Sequence, residues 1–179
     1  MPGDSQESTL RIETDRLRLR GFVESDGEFI LCLLNQPSFL RFIGDKKVRT
    51  IEDARMYIQT GPRENYKRYG FGQYLVQLKE TNKAIGMCGL VKRDTLEHPD
   101  LGFAFLPEAW GKGYALEAAS AVLKHTQDAL SLSRILAITN PDNDASIKLL
   151  GRLGFQFECL KRLSTDADQV KLFSLNLAS

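Results

Sequence analysis

Residues 100–118 read Asp100-Leu101-Gly102-Phe103-Ala104-Phe105-Leu106-Pro107-Glu108-Ala109-Trp110-Gly111-Lys112-Gly113-Tyr114-Ala115-Leu116-Glu117-Ala118. Asp100 to Leu106 form an apolar run that stops at Pro107, as a buried strand would, because proline cannot donate to a strand ladder. Gly111 and Gly113 then open a helix in which Ala115, Ala118, Ala119, Val122 and Leu123 recur at helical spacing and mark one packed face. A strand that turns through glycines into a helix gathers unpaired N–H groups and the positive end of the helix dipole at one point. That is where a concentrated anion such as a pyrophosphate binds. The two glycines let the backbone approach the oxygens closely, Ala115 keeps the next turn slim, and Lys112 adds a cation. A bare Gly-x-Gly is also what an ordinary loop before an alanine-rich helix contains, so the neighbouring sequence must decide.

Two nucleotide-binding motifs are excluded by the residues themselves. A P-loop needs Ser or Thr after its Gly-Lys pair to hold magnesium, whereas Lys112 is followed by Gly113. A dinucleotide fingerprint needs a third glycine three positions on, where this chain has Leu116.

Working outward, Leu10, Ile12, Leu17 and Leu19 alternate with charged residues as one half-buried strand. Ser25-Asp26 caps a helix carrying Phe29, Ile30, Leu33 and Leu34, and Thr50 opens a second with Ile51, Ala54 and Ile58, which Gly61-Pro62 is expected to end. Gly72 to Leu78 and Ala84 to Val91 read as antiparallel strands joined by the polar link Lys79 to Lys83. Downstream of the glycine segment the helix should reach about Leu130. Arg134 to Thr139 reads as a buried strand, and Asp144 to Leu153 as a short helix closed by Gly154. Phe155 to Leu160 and Val170 to Leu177 supply the last two strands. No internal repeat interrupts the order. The expected class is α+β, with a mixed, mostly antiparallel sheet of seven strands and about four helices.

The whole 179-residue chain fits one domain, with residues 1–9 as a flexible leader, and 42% hydrophobic content fills one core. With 24 basic against 23 acidic residues the net charge is +1, so no long-range field draws the chain to nucleic acid or to an anionic membrane. Cys32, Cys88 and Cys159 are too far apart for a zinc or redox pair, and reduced, mostly buried thiols are expected. The leader lacks a secretion signal's basic start and apolar run, and the apolar stretch Phe29 to Leu34 falls far short of the roughly 18 residues of a membrane span. These features predict a cytoplasmic protein, monomeric or homodimeric, with no metal.

Together with its flanks, the stretch Asp100 to Ala118 resembles the acetyl-coenzyme A motif of the GNAT acetyltransferase superfamily. Ile12-Glu13-Thr14-Asp15-Arg16-Leu17-Arg18-Leu19-Arg20 is similar to the opening of the branch containing the ribosomal-protein N-terminal acetyltransferases. Asn143-Asp144-Ala145-Ser146 followed by Leu153-Gly154-Phe155 resembles that branch's second motif. The resemblance covers residues 10–179 as one acetyltransferase domain. It implies a sheet splayed between the fourth strand, Asp100 to Leu106, and the fifth, Arg134 to Thr139. Into that gap the pantetheine arm of acetyl-CoA would insert, pairing with backbone groups of Phe103, Phe105 and Leu106, while Gly111, Lys112, Gly113, Tyr114 and Ala115 hold the pyrophosphate. Asn143 would reach the arm through its amide; in the residue pattern alone it is equally a helix cap. Trp110 stands where many superfamily members place Arg or Gln, and its indole is expected to pack beneath the loop.

The implied reaction is acetyl transfer to a primary amine, a protein N-terminus or a small molecule, by direct attack in a ternary complex. Asp100 is the expected base, with Glu97 and His98 nearby, and amides around Phe105 are expected to stabilise the oxyanion. Leu150 occupies the place of the tyrosine that serves many GNAT enzymes as acid, so Ser146 is expected to assist the departing sulfur, unless a water does or the thiolate leaves unaided. The early helices would build the acceptor site, with Phe39, Phe42, Tyr66, Tyr69 and Phe71 as its aromatic surface or simply as core. A protein that binds acetyl-CoA as a sensor, without transfer, is the alternative function.

Overall fold

The computed structural model describes residues 10–178, so the leader lies outside the described residues. The chain runs β1 (Arg11–Glu13), β2 (Leu17–Arg20), α1 (Gly27–Leu34), α2 (Pro37–Phe42), α3 (Ile51–Ile58), α4 (Glu64–Tyr69), β3 (Gln73–Leu78), β4 (Ala84–Val91), β5 (Asp100–Phe105), α5 (Tyr114–Ala129), β6 (Arg134–Thr139), α6 (Asp144–Arg152), β7 (Gln156–Arg162) and β8 (Gln169–Asn176). The strands form one mixed sheet in the order β1-β2-β3-β4-β5-β6-β8-β7, with β5 and β6 as its parallel pair. The α+β class with a mostly antiparallel mixed sheet is the one expected.

Two element counts differ from the sequence reading, each for a local reason. The first strand is a hairpin: Thr14 N–H donates to the Leu17 carbonyl at 3.0 Å, and Leu17 N–H donates back to Thr14 Oγ1 at 3.0 Å, which turns the chain over Asp15. Eight strands result instead of seven. Gly61-Pro62 does not end the second helix. It lies in a wide π-turn, Gln59–Arg63, between α3 and α4, where a proline's missing N–H and bulky ring are tolerated. The helical run stops only at Gly70, whose φ of 76° is the left-handed geometry that glycine adopts without strain. With the short α2, six α-helices are present among the described residues.

Alternation along the strands divides the core in two. Leu17, Leu19, Val76, Cys88, Leu90 and Leu101 pack beneath α5, against Ala118, Ala119 and Val122. On the other face Leu75 and Met87 meet Ile30, Leu33, Ala54 and Ile58 of α1 and α3. At about 25 cal/mol per Å², each fully buried leucine or isoleucine contributes roughly 1.5 to 3 kcal/mol, and this fixes which strand face meets which helices. Of the cysteines only Cys88 is buried; Cys32 and Cys159 are exposed, contrary to expectation. Cys32 falls on the solvent side of α1, and Cys159 lies on the edge strand β7, where nothing covers it.

Candidate active site

The site starts from the failure of β5 and β6 to stay together. Their register consists of one pair, Asp100 with Leu136, fastened by Leu136 N–H donating to the Pro99 carbonyl at 2.9 Å. Beyond it the two strands separate. On the other side β5 remains paired with β4 through Phe105, and Leu106 N–H donates to the Ile85 carbonyl at 2.9 Å. Backbone groups alternate in direction along a strand, so Pro99 and Leu101 address β6 whereas Leu106 addresses β4. By the same alternation Phe103 and Phe105 turn their N–H and C=O groups into the gap. Leu106 does not: its N–H is engaged by Ile85, and its carbonyl accepts from Ala109 N–H at 2.9 Å. Leu106 therefore cannot pair with a ligand as expected.

Trp110 is 53% exposed and donates its indole N–H to the Phe105 carbonyl at 2.9 Å. It stands on the rim rather than beneath the loop. Gly111 and Gly113 have φ values of 74° and 82°, which turn the chain into α5. The first helical bond runs from Glu117 N–H to the Gly113 carbonyl at 3.1 Å, which leaves the N–H groups of Tyr114, Ala115 and Leu116 as the helix's free donors. Leu116 was missed in the sequence; the third position of a helix starting at Tyr114 was the available signal.

Arg16, from the turn between β1 and β2, braces this segment. Its Nη1 donates to the Lys112 carbonyl at 2.9 Å, its guanidinium lies 4.5 Å from the Tyr114 ring centroid, and its Nε donates to Glu117 Oε2 at 2.7 Å. Thr14 Oγ1 donates to the other oxygen of Glu117 at 2.5 Å. Burial pushes the Glu117 pKa up, but the bonds from Thr14 and Arg16 outweigh it and hold the carboxyl below its ordinary value. A carboxylate in the first turn of α5 would otherwise oppose an incoming anion; paired with Arg16, it holds the loop instead.

A cavity of about 490 Å³ joins these parts, lined by Phe103 and Phe105 of β5, the glycine segment with Tyr114 and Ala115, and Asn143 and Ser146 of α6. Phe39 and Phe42 close it on the α2 side, and Lys148 and Arg152 stand one turn apart on α6 at its rim. Asn143 Oδ1 accepts from Ser146 N–H at 3.2 Å, so Asn143 is the cap of α6, and it also lies on the cavity wall. The aromatic residues of the early helices divide: Tyr66 stacks on Tyr74 and Tyr69 on Phe71, away from the cavity that Phe39 and Phe42 line.

Asp100 is not brought to the cavity wall. It sits at the closed end of the gap, 1% exposed, with Oδ1 accepting from Arg93 Nε at 3.0 Å. Burial raises its pKa and the Arg93 cation partly offsets this. The position before the splay holds the carboxylate against Arg93, so its geometry is that of a strut. Leu150 is 1% exposed and packs in the core beneath α5, while its neighbour Leu149 faces the cavity.

Residues 16–156 match the family model of the acetyltransferase (GNAT) domain. The chain is 33% identical over 152 residues to an uncharacterized N-acetyltransferase of Bacillus subtilis, YoaA, covering 84% of this chain and 85% of the relative. The fold superposes with a TM-score of 0.79 on a Salmonella typhimurium acetyltransferase that modifies the N-terminal serine of a 50S ribosomal subunit protein, at 18% identity and covering 94% of this chain and 100% of that one. It superposes with a TM-score of 0.72 on RimL, a ribosomal α-N-protein acetyltransferase in complex with coenzyme A, at 18% identity and covering 94% and 98% of the two chains. No helix among the described residues is long and apolar enough to cross a membrane. On the match of its sequence to the domain and to named N-acetyltransferases, the chain belongs to the GNAT acetyltransferase family.

Proposed function

We propose that this protein transfers the acetyl group of acetyl-CoA to a primary amine by direct attack within a ternary complex. One observation carries the reading: the inward-turned backbone of Phe103 and Phe105 and the free amides of Tyr114, Ala115 and Leu116 open into the same cavity. That fits a ligand with amides along an arm and a doubly charged group at one end. The Phe103 backbone and the Phe105 carbonyl pair with the arm as an added strand would, which leaves the Phe105 N–H free, and the turn from Gly111 to Ala115 takes the pyrophosphate. Lys148 and Arg152, which line the cavity, supply the cations around the phosphates, whereas Lys112 lies outside its wall, in a separate hollow beside Lys83 and Glu108, and contributes through the backbone of the turn. Asn143 bonds the arm through its amide nitrogen.

The thioester supplies an acyl group already activated toward amines. The chain's part is to hold that carbonyl, exclude water and receive charge as it develops. The N–H of Phe105 is the oxyanion donor, because it turns into the gap and needs no side chain. Ser146, on the first turn of α6 beside Asn143, lines the cavity, and its hydroxyl is the group we assign to assist the departing sulfur. Asp100 serves by bracing Arg93 and the start of β5 rather than as base.

The named relatives favour a protein N-terminus as acceptor, since one of them modifies an N-terminal serine. The test follows thiol release from acetyl-CoA with octapeptides bearing N-terminal serine or alanine, free amino acids, and n-hexylamine. Acetylated product with at least one of them is expected. Binding of acetyl-CoA with no product from any would favour the sensor function.

A further inference from the structure

Gln73, at the start of β3, is 8% exposed, and its side-chain oxygen Oε1 is buried with no hydrogen-bond partner. Its backbone is accounted for, because the Gln73 carbonyl accepts from the Tyr66 hydroxyl. A buried amide oxygen without a partner loses its water and gains nothing, so an apolar residue of that size would serve the core better. Something other than packing must answer for it.

Its location supplies the answer. Gln73 is in register with Gly89 of β4, and Gly89 with Gly102 of β5, so a row of two glycines runs from Gln73 to the strand that borders the gap. The amide of Gln73 crosses that row. A Cβ placed on Gly102 would lie 2.6 Å from Gln73 Nε2, with Val91 Cγ2 next at 3.8 Å outside that side chain. Gly102 is only half-buried although it lies in a central strand, and on this face it is the Gln73 amide that lies over it. Gln73 shares its face with Leu75, on the side covered by α1 and α3, and Ala104 continues that face along β5. Ala104 lines the cavity, and two residues of strand cover about 7 Å. Thus the Gln73 amide lies over Gly102, two residues along β5 from Ala104 on the cavity wall, close to where β5 leaves β6.

We infer that Gln73 is the residue that positions the acceptor amine, its side-chain carbonyl accepting an N–H of the acceptor as the amine enters across Gly102. The inference rests on the acetyl-transfer reading of the site. Rotation about the terminal torsion of a glutamine is soft, so the oxygen turns toward Gly102 at little cost when a donor arrives. An amine held there by one bond keeps its lone pair free for attack on the thioester carbonyl in the gap. Gln73 is a positioning residue: it takes no proton and forms no covalent bond.

Gln73→Leu removes the bond and keeps the volume. With the N-terminal serine octapeptide, kcat/KM for the acceptor should fall about tenfold, the scale of one lost hydrogen bond. The KM for acetyl-CoA and the melting shift it causes should not change. Gln73→Glu keeps an oxygen acceptor but makes it titratable. Its acceptor kcat/KM should recover as pH rises, adding an ascending limb to the profile that a packing role would not produce. Wild-type acceptor kcat/KM in Gln73→Leu, or loss of the acetyl-CoA melting shift in both variants, would overturn the assignment and leave the acetyltransferase reading standing. Wild-type enzyme that acetylates none of the octapeptides, free amino acids or n-hexylamine would overturn both.

Discussion

The guanidinium of Arg16 meets the carboxylate of Glu117 through Nε and Nη2, each 2.7 Å from Oε2, and so ties the turn of the first hairpin to the first turn of α5 across 101 positions of sequence. The same side chain donates to the Lys112 carbonyl and stacks on Tyr114. The loop that would hold the pyrophosphate is therefore fixed before any ligand arrives, and pre-organisation of this kind lowers the entropy lost on binding. Arg16→Ala should weaken acetyl-CoA binding about tenfold while lowering stability by about 1 kcal/mol, since Arg16 is half exposed and solvent screens the pair. Isothermal titration beside urea unfolding separates the two effects.

Glu117 gives that brace a pH dependence. Its folded pKa lies below the ordinary 4.5, so the stability it adds is fully present above that value and is lost as pH falls through the folded value. The melting temperature of Glu117→Gln should trail wild type at pH 7. The difference should shrink below about pH 4 and close at lower pH, as melting curves of both proteins over that range would show.

Gly113 cannot be replaced by a β-branched residue without strain. At φ 82° such a side chain costs about 1 to 3 kcal/mol, and its Cβ would also lie 3.4 Å from Arg16 Nη2. Gly113→Val should abolish measurable acetyl-CoA binding in titration, while circular dichroism shows the fold retained.

Ser146 and Asp100 should part company under mutation. Ser146→Ala should lower kcat about tenfold to a hundredfold with acetyl-CoA affinity unchanged. Unaltered turnover would remove the serine from the chemistry. Asp100→Asn leaves Arg93 without its carboxylate and should cost about 2 kcal/mol in urea unfolding, a figure below that of a fully buried pair because the Arg93 side chain is 34% exposed. Its kcat should fall much less than the hundredfold or more that loss of a general base entails.

Much of the fold was legible because long runs state it: the apolar stretches of β3 and β4, the alanine face of α5 and the glycines before it all occur where the sequence places them. The splay was legible only through the resemblance, since nothing in Asp100 to Leu106 says which neighbour that strand will leave. Local periodicity also misled in places. Thr14 bends an alternating run into a hairpin through bonds to Leu17, and a π-turn absorbs Pro62. Asp100 is the expected base because it starts the right strand, while its burial against Arg93 depends on a partner seven positions upstream whose direction no pattern reveals. Likewise Arg16 and Glu117 are an unremarked pair of charges until the hairpin brings them together.

The central claim is that the cavity between the splayed strands and the glycine turn is built for acetyl-CoA. Thermal melting with and without the ligand tests it most directly. At 100 times the dissociation constant, ligand that binds only the folded state adds roughly 2.7 kcal/mol of stability, and wild type should show the matching rise in melting temperature while Gly113→Val shows none. An unchanged wild-type melting temperature at millimolar acetyl-CoA would contradict the account.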